Sequence, residues 1–248
     1  MNESASSAAT PRSITEFSDA FRFFFEDPEW LPKLLMGTLF TVLSFFVIGS
    51  IWVTGYVVDI VRRRLRDEPR PLPDWSDLRG LFDNGLKAWF VAVVHVIPLL
   101  LLALLLGLAW GGTMGVLESA PRTPAEIQVT FVLFVLTAYV FFMLVGLALM
   151  LYLPAAFVRF VVIDRLSAAF DIRENLTFIR RNAKGYSQAL LVIFASSFVA
   201  QLGIFVLCIG FFPATFWSIC VFGYALGGLA RGDELLLAQA AQTRGKSL

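Results

Sequence analysis

Inside the apolar stretches of this sequence, the side chains best equipped for chemistry are His95, Gln188, Gln201, Cys208 and Cys220. An ionisable group at membrane depth is a functional hypothesis in its own right, because holding it there is costly. His95 lies about two turns into its apolar run and could serve a proton or a substrate. No acid in the run pairs with it, so a structural hydrogen bond is the competing role. Gln201, with Gln188, could line a polar seam or link helices. His95 and Gln201 are thus the candidate polar intramembrane residues. One His, and two Cys without a CxxC spacing, do not make a zinc site, so no metal and no cofactor are expected. Asp59 and Asp164 sit beside arginines at the ends of apolar runs, the usual setting of interfacial ion pairs. No glycine-rich phosphate loop, HExxH helix or GxSxG elbow occurs. The acids concentrate outside the apolar runs, so no catalytic residue and no enzyme are expected.

These few polar groups ride on elements that only a bilayer accommodates. Val129 to Val158 is a run of 30 residues without a charge, and about 20 apolar residues suffice to cross the hydrocarbon core. The chain is 58% hydrophobic and 16% charged, against roughly 25% charged in soluble domains. The expected fold is an all-α polytopic transmembrane bundle. Its single membrane domain, 13–232, lies between a disordered tail (1–12) and a cytoplasmic tail (233–248). Four full spans are expected at 88–112, 129–158, 186–209 and 213–230, with Pro98 and Pro154 as kinks and Gly210-Phe211-Phe212-Pro213 as the turn of the closing hairpin. Segment 34–58, interrupted by Gly37, Gly49 and Gly55, is either a fifth span or a re-entrant hairpin turning near Ile48-Gly49-Ser50. Gly107, Gly111 and Gly115 recur every fourth residue and, with Gly223 and Gly227, offer faces for close helix packing. Loop flexibility competes with packing at Gly111-Gly112.

Three amphipathic segments are expected to lie along the membrane surface. The first, 13–25, is Phe-rich and opens on a Ser13/Glu16 capping box. The second, 74–86, is capped by Asp74, carries Leu78, Leu81, Phe82 and Leu86 on one face, and is joined to the next span through a weakening Gly85. The third, 166–183, has a stripe of Ala169, Ile172, Leu176 and Ile179. The candidate lipid and interface residues are Phe21, Phe24, Trp30, Arg62, Arg63, Arg64, Trp75, Arg180 and Arg181. Basic residues mark the cytoplasmic side. If 34–58 re-enters, nineteen of the twenty Lys and Arg fall inside and only Arg122 outside. If it spans, the split is sixteen to four, a poorer fit.

The stretches FEDPEW (Phe25–Trp30), PDWSDLRGLFDNGLKAW (Pro73–Trp89) and AAFDIRENLTFIRRN (Ala168–Asn182), taken in this order, resemble domain-of-unknown-function family 4013, prokaryotic polytopic membrane proteins. The resemblance runs from Phe17 to Arg231. It implies an integral membrane location and no established activity.

Three functional readings follow. The first is a non-enzymatic protein of the cytoplasmic membrane, multi-pass and with its C-terminus inside, that organises anionic lipid or partner proteins at the inner face. A second copy of the chain counts among those partners, and nucleic acid does not. The second is a small transporter or channel for lipid or apolar cargo. The third, least favoured by the residues, is a membrane-embedded enzyme.

Overall fold

The computed structural model describes residues 17–118, 123–205 and 210–245. Among them the chain is helical, with no strand. The proposed tail 1–12 and the Ser13/Glu16 capping box lie outside the described residues. Among the described residues, four helices are long and apolar enough to cross a membrane: Leu78–Gly115, Pro124–Ile163, Ala183–Phe205 and Phe211–Arg231.

The chain divides into two compact units, Met1–Trp89 with Pro154–Leu248, and Phe90–Leu153. The smaller contains most of α4 (Leu78–Glu118) and α5 (Pro124–Ile163). These run antiparallel, with Trp110 stacked on Phe134 at 4.1 Å and His95 beside Tyr152 at 5.5 Å. α5 opens on a reciprocal cap in which Glu126 N–H donates to Thr123 Oγ1 and Thr123 N–H to Glu126 Oε2. Leu100, Leu101, Leu104, Leu105 and Leu108 of α4 are all more than half exposed. An apolar surface of this extent calls for lipid rather than water around it.

The larger unit is built around α9 (Phe211–Arg231), more than half of whose residues are buried. It packs on α8 (Ala183–Leu202), α3 (Ile48–Leu65) and α2 (Trp30–Leu43), with α1 (Phe17–Arg22) and α10 (Glu234–Gly245) at its flanks. Residues 34–58 form a helical hairpin. α2 runs into a 3₁₀ turn at Ser44–Phe46, the chain reverses at Val47 (φ 66°), and α3 returns. The reversal falls one residue before the predicted Ile48-Gly49-Ser50. Neither limb is among the four helices able to cross. Backbone approach is closest at two glycines. A Cβ on Gly55 would lie 1.8 Å from the Leu81 carbonyl oxygen, and one on Gly85 1.8 Å from that of Ile51.

Several sequence boundaries need correction. The proposed surface helix 74–86 is not separate: α4 starts at Leu78, capped by Asp77 rather than Asp74, and continues through Gly85 without a break. In it Leu81 is buried while Leu78 and Leu86 are exposed. Segment 166–183 is broken at Asp171 into α6 (Leu166–Phe170) and α7 (Ile172–Arg181). The inward face of α7 is Asn175 and Phe178, whereas Ile172 and Leu176 point outward. Within the tail, Glu234–Gly245 forms a helix, α10, with Leu236 and Ala240 buried.

Candidate functional site

Where α2 begins and α3 ends, the larger unit gathers its charged side chains into tight knots. The first centres on Lys33, whose side chain is only 7% exposed. Its Nζ reaches Asp27 Oδ2 at 2.9 Å, Asp74 Oδ1 at 3.0 Å and the Leu72 carbonyl at 3.2 Å. Asp27 Oδ1 also accepts the Glu29 N–H at 2.8 Å, fixing the turn that starts α2. Trp75 donates its indole N–H to the Lys33 carbonyl and stacks on Tyr56 (4.5 Å) and Phe40 (4.9 Å). The Tyr56 hydroxyl donates to the Pro73 carbonyl at 2.9 Å. The two ends of the hairpin are thus clamped to one loop.

A second knot uses the arginines that close α3. Arg62 bonds Asn84 Oδ1 at 3.0 Å and Asp164 at 2.7 Å. Arg63 faces Asp59 and Glu68. Arg64 pairs with Asp67 and lies 4.4 Å from the centre of the Tyr224 ring, a cation–π contact. Arg231, at the end of α9, grips Asp67 with both terminal nitrogens. Asp67 and Asp164 both take left-handed backbone (φ 55° and 59°), which short acidic side chains tolerate better than most. Between these groups lies a cleft of 240 Å³ lined by Phe23, Glu26, Asp27, Arg64, Glu68 and Tyr224 among others.

The third knot joins the α7–α8 corner to α10. Arg181 Nη2 and Asn182 Nδ2 both donate to Asp233 Oδ2 at 2.6 Å, and Asp233 Oδ1 caps α10 through the Leu236 N–H. Burial alone pushes the Asp233 carboxyl upward, but the bonds from Arg181, Leu236 and Asn182 outweigh it and hold it below its ordinary value. Nearby, the buried Arg159 donates to Asn175 Oδ1, and Asn175 Nδ2 to the Ala169 carbonyl.

Each motif stretch contributes to a knot: Asp27 from the first and Asp74 and Trp75 from the second meet Lys33, Asn84 of the second meets Arg62, and Arg181 and Asn182 of the third meet Asp233, while the remaining partners lie outside the motifs. A family model described as "Protein of unknown function (DUF4013)" matches residues 38–209. The chain belongs to that family. The match is narrower than the Phe17–Arg231 resemblance and leaves out FEDPEW, although Asp27 of that stretch pairs with Lys33. No curated protein and no solved structure matches the chain.

Most of the residues read from sequence as lipid contacts serve this DUF4013 chain internally. Phe24 is fully buried against Phe23, Phe25 and Phe216. Trp75 is half-buried and stacks on Tyr56 and Phe40. Arg62, Arg63, Arg64 and Arg181 are held by acids within the unit. Phe21, half-buried beside Trp217, and Trp30, beside Phe25, lie nearer the edge, and Arg180 is exposed. His95 Nδ1 sits 2.8 Å from the Val91 carbonyl one turn back, a structural bond within its own helix. Gln201 points outward from α8 and lines no seam among the described residues. The polar seam between α8 and α9 is Ser218 Oγ donating to Ser196 Oγ at 3.1 Å, a pair that no spacing in the sequence singles out. Gly223 and Gly227 do pack closely, on Val57 and Arg64 of α3, whereas a Cβ added at Gly107, Gly111 or Gly115 would meet nothing within 4 Å.

Proposed function

We propose that this protein is a non-enzymatic scaffold of the cytoplasmic membrane that presents its knotted polar end to the inner face and gathers anionic lipid there. The observation that carries this reading is α7. It exposes Ile172 and Leu176 on one side and Arg173 and Arg180 next to them, while Asn175 and Phe178 anchor its opposite side. An amphipathic helix so anchored, directly preceding the apolar α8, suits the headgroup layer. The basic excess supports an inward orientation: with 34–58 as a hairpin, nineteen of twenty Lys and Arg share one side. Enzymatic chemistry draws no support from His95 or Lys33: His95 Nδ1 lies against the Val91 carbonyl of its own helix, and Lys33 Nζ is held by Asp27, Asp74 and the Leu72 carbonyl.

Two measurements test this. On a cysteine-free background, a membrane-impermeant thiol reagent applied to intact cells should label Thr123→Cys and spare Arg79→Cys. The reverse pattern refutes the orientation. Protein excised in polymer discs from mixed anionic and zwitterionic membranes should be enriched in anionic lipid. Arg173→Gln with Arg180→Gln should weaken that preference by about fivefold per charge, following roughly 1 kcal/mol per surface cation. No enrichment, or no effect of the double variant, refutes lipid gathering.

A further inference from the structure

We propose that the cleft between the end of α5, the α6–α7 corner and α10 binds a phosphate ester. Its volume is 320 Å³, and Arg159, Arg165, Ser167, Asp171, Gln239 and Gln242 are among the residues that line it. Two arginines and one aspartate are among its lining residues, and Asp171 Oδ1 already accepts the Glu174 N–H at 3.1 Å at the start of α7. The site therefore favours an anion. Arg159 is 5% exposed and is oriented by Asn175, itself fixed by the Ala169 carbonyl, so this cation is held in place before any ligand arrives. Planar guanidinium donors match phosphate oxygens in pairs. The Ser167 hydroxyl and the amides of Gln239 and Gln242 add neutral donors around the same space.

The position of the cleft favours a ligand drawn from the headgroup layer. Its walls come from segments adjoining the ends of the apolar helices: α7 leads into Ala183, where α8 begins, and α10 follows Arg231, where α9 ends. The α10 wall is fastened to that level by the Arg181–Asp233 bond. The same chemistry would accept a soluble phosphomonoester. Only the choice of a lipid source rests on the membrane orientation proposed above, since phosphate binding in detergent is independent of which side faces the cytoplasm.

The test uses the full chain purified in a neutral detergent and two probes, short-chain phosphatidic acid and glycerol 3-phosphate, with affinity read by thermophoresis. Saturable binding of either probe is expected. Arg165→Gln, an exposed position, should weaken it at least about tenfold, or 1.4 kcal/mol. Arg79→Gln removes an equal charge from α4 outside the cleft and should leave affinity unchanged. Gln242→Leu should weaken binding without altering net charge. Binding of the lipid alone identifies a headgroup site, and binding of both identifies a general phosphate site. If neither probe binds, or if Arg79→Gln costs as much as Arg165→Gln, the proposal is overturned.

Discussion

Lys33→Met is the most demanding perturbation of this fold. The Lys33 ammonium is enclosed, with three oxygen partners within 3.2 Å, and Asp27, its nearest acid, is 1% exposed at the side chain. Methionine preserves the apolar stem but strands the Asp27 carboxylate with only the Glu29 N–H for company and deprives the Leu72 carbonyl of its donor. Breaking a buried pair on one side costs about 3–5 kcal/mol. Asp74, more than half exposed, regains water and adds little. Asp27→Asn should cost somewhat less, because its amide oxygen can still accept the Glu29 N–H. The combination Lys33→Met with Asp27→Leu removes both charges, and paired removal of this kind is often nearly neutral. The assay is reversible unfolding of the detergent-solubilised protein by sodium dodecyl sulfate, followed by tryptophan fluorescence. Lys33→Met and Asp27→Leu should each lose several kcal/mol as single variants, and the double variant should recover at least about 2 kcal/mol of coupling. A Lys33→Met loss below about 1 kcal/mol would mean the pair behaves as an exposed one, and the clamp argument would fail.

Other outcomes follow from the same geometry. Gly55→Leu or Gly85→Leu drives a side chain into a facing carbonyl and should cost about 3 kcal/mol or more in the same unfolding assay, whereas Gly111→Leu, with open space around it, should change stability by less than about 0.5 kcal/mol. Asp233 has a lowered folded pKa, so the stability it contributes is fully present above the ordinary carboxyl value of 3.8 and is lost as pH falls through the lower folded value. Unfolding scans of wild type should show that loss in the acid range, and Asp233→Asn should start less stable at pH 7 and lack this component. Replacing Arg62, Arg63 and Arg64 together by Gln should destabilise the fold while leaving anionic-lipid enrichment of the surviving folded protein nearly intact. Loss of enrichment without loss of stability would return these arginines to the membrane.

The helices were legible because uncharged length is a direct readout of bilayer crossing, as Val129–Val158 illustrates. What each helix faces was not. In water an apolar stripe points to the core, but beside lipid it has an equally apolar exterior to face. With α7 in the headgroup layer as proposed, this accounts for the Ile172/Leu176 stripe lying outward while Asn175 lies inward. Arg62, Arg63 and Arg64 read in the sequence as marks of a cytoplasmic side, yet their partners Asp164 and Glu68 are brought to them by the fold, and Asp164 is 102 residues away from Arg62. Gly55 and Gly85 looked like weaknesses in their helices because each lacks meaning without the other. The motif order was more informative than any single residue, since Asp27, Asp74 and Trp75 meet around Lys33.

That meeting also bears on how a broken helix can exist within lipid. At about 1.5 Å per residue, the 14 residues of α2 reach only about 21 Å, short of a hydrocarbon core of about 30 Å. A corner at that depth must satisfy its own backbone groups. Here the Val47 N–H donates to the Ser44 carbonyl at 2.9 Å, the Ser50 N–H and hydroxyl both donate to the Val47 carbonyl, and the Ser44 hydroxyl donates to the Phe40 carbonyl. The backbone groups at the reversal are therefore paired within the corner itself, and the serine hydroxyls that interrupt the apolar run are paired there too, as the proposed re-entrant arrangement requires. The corner itself leaves Phe45 and Phe46 largely exposed, a surface suited to lipid. With little to grip at the tip, the hairpin depends on its base, where Lys33 ties α2, and Tyr56 ties α3, to the Leu72–Asp74 loop. Ser44→Ala with Ser50→Ala should accordingly loosen the corner alone, raising hydrogen exchange at Val47 and Ser50 and sparing Lys33, whereas Lys33→Met should raise exchange along both limbs. Equal exchange profiles for the two variants would show that corner and base do not act as separate supports.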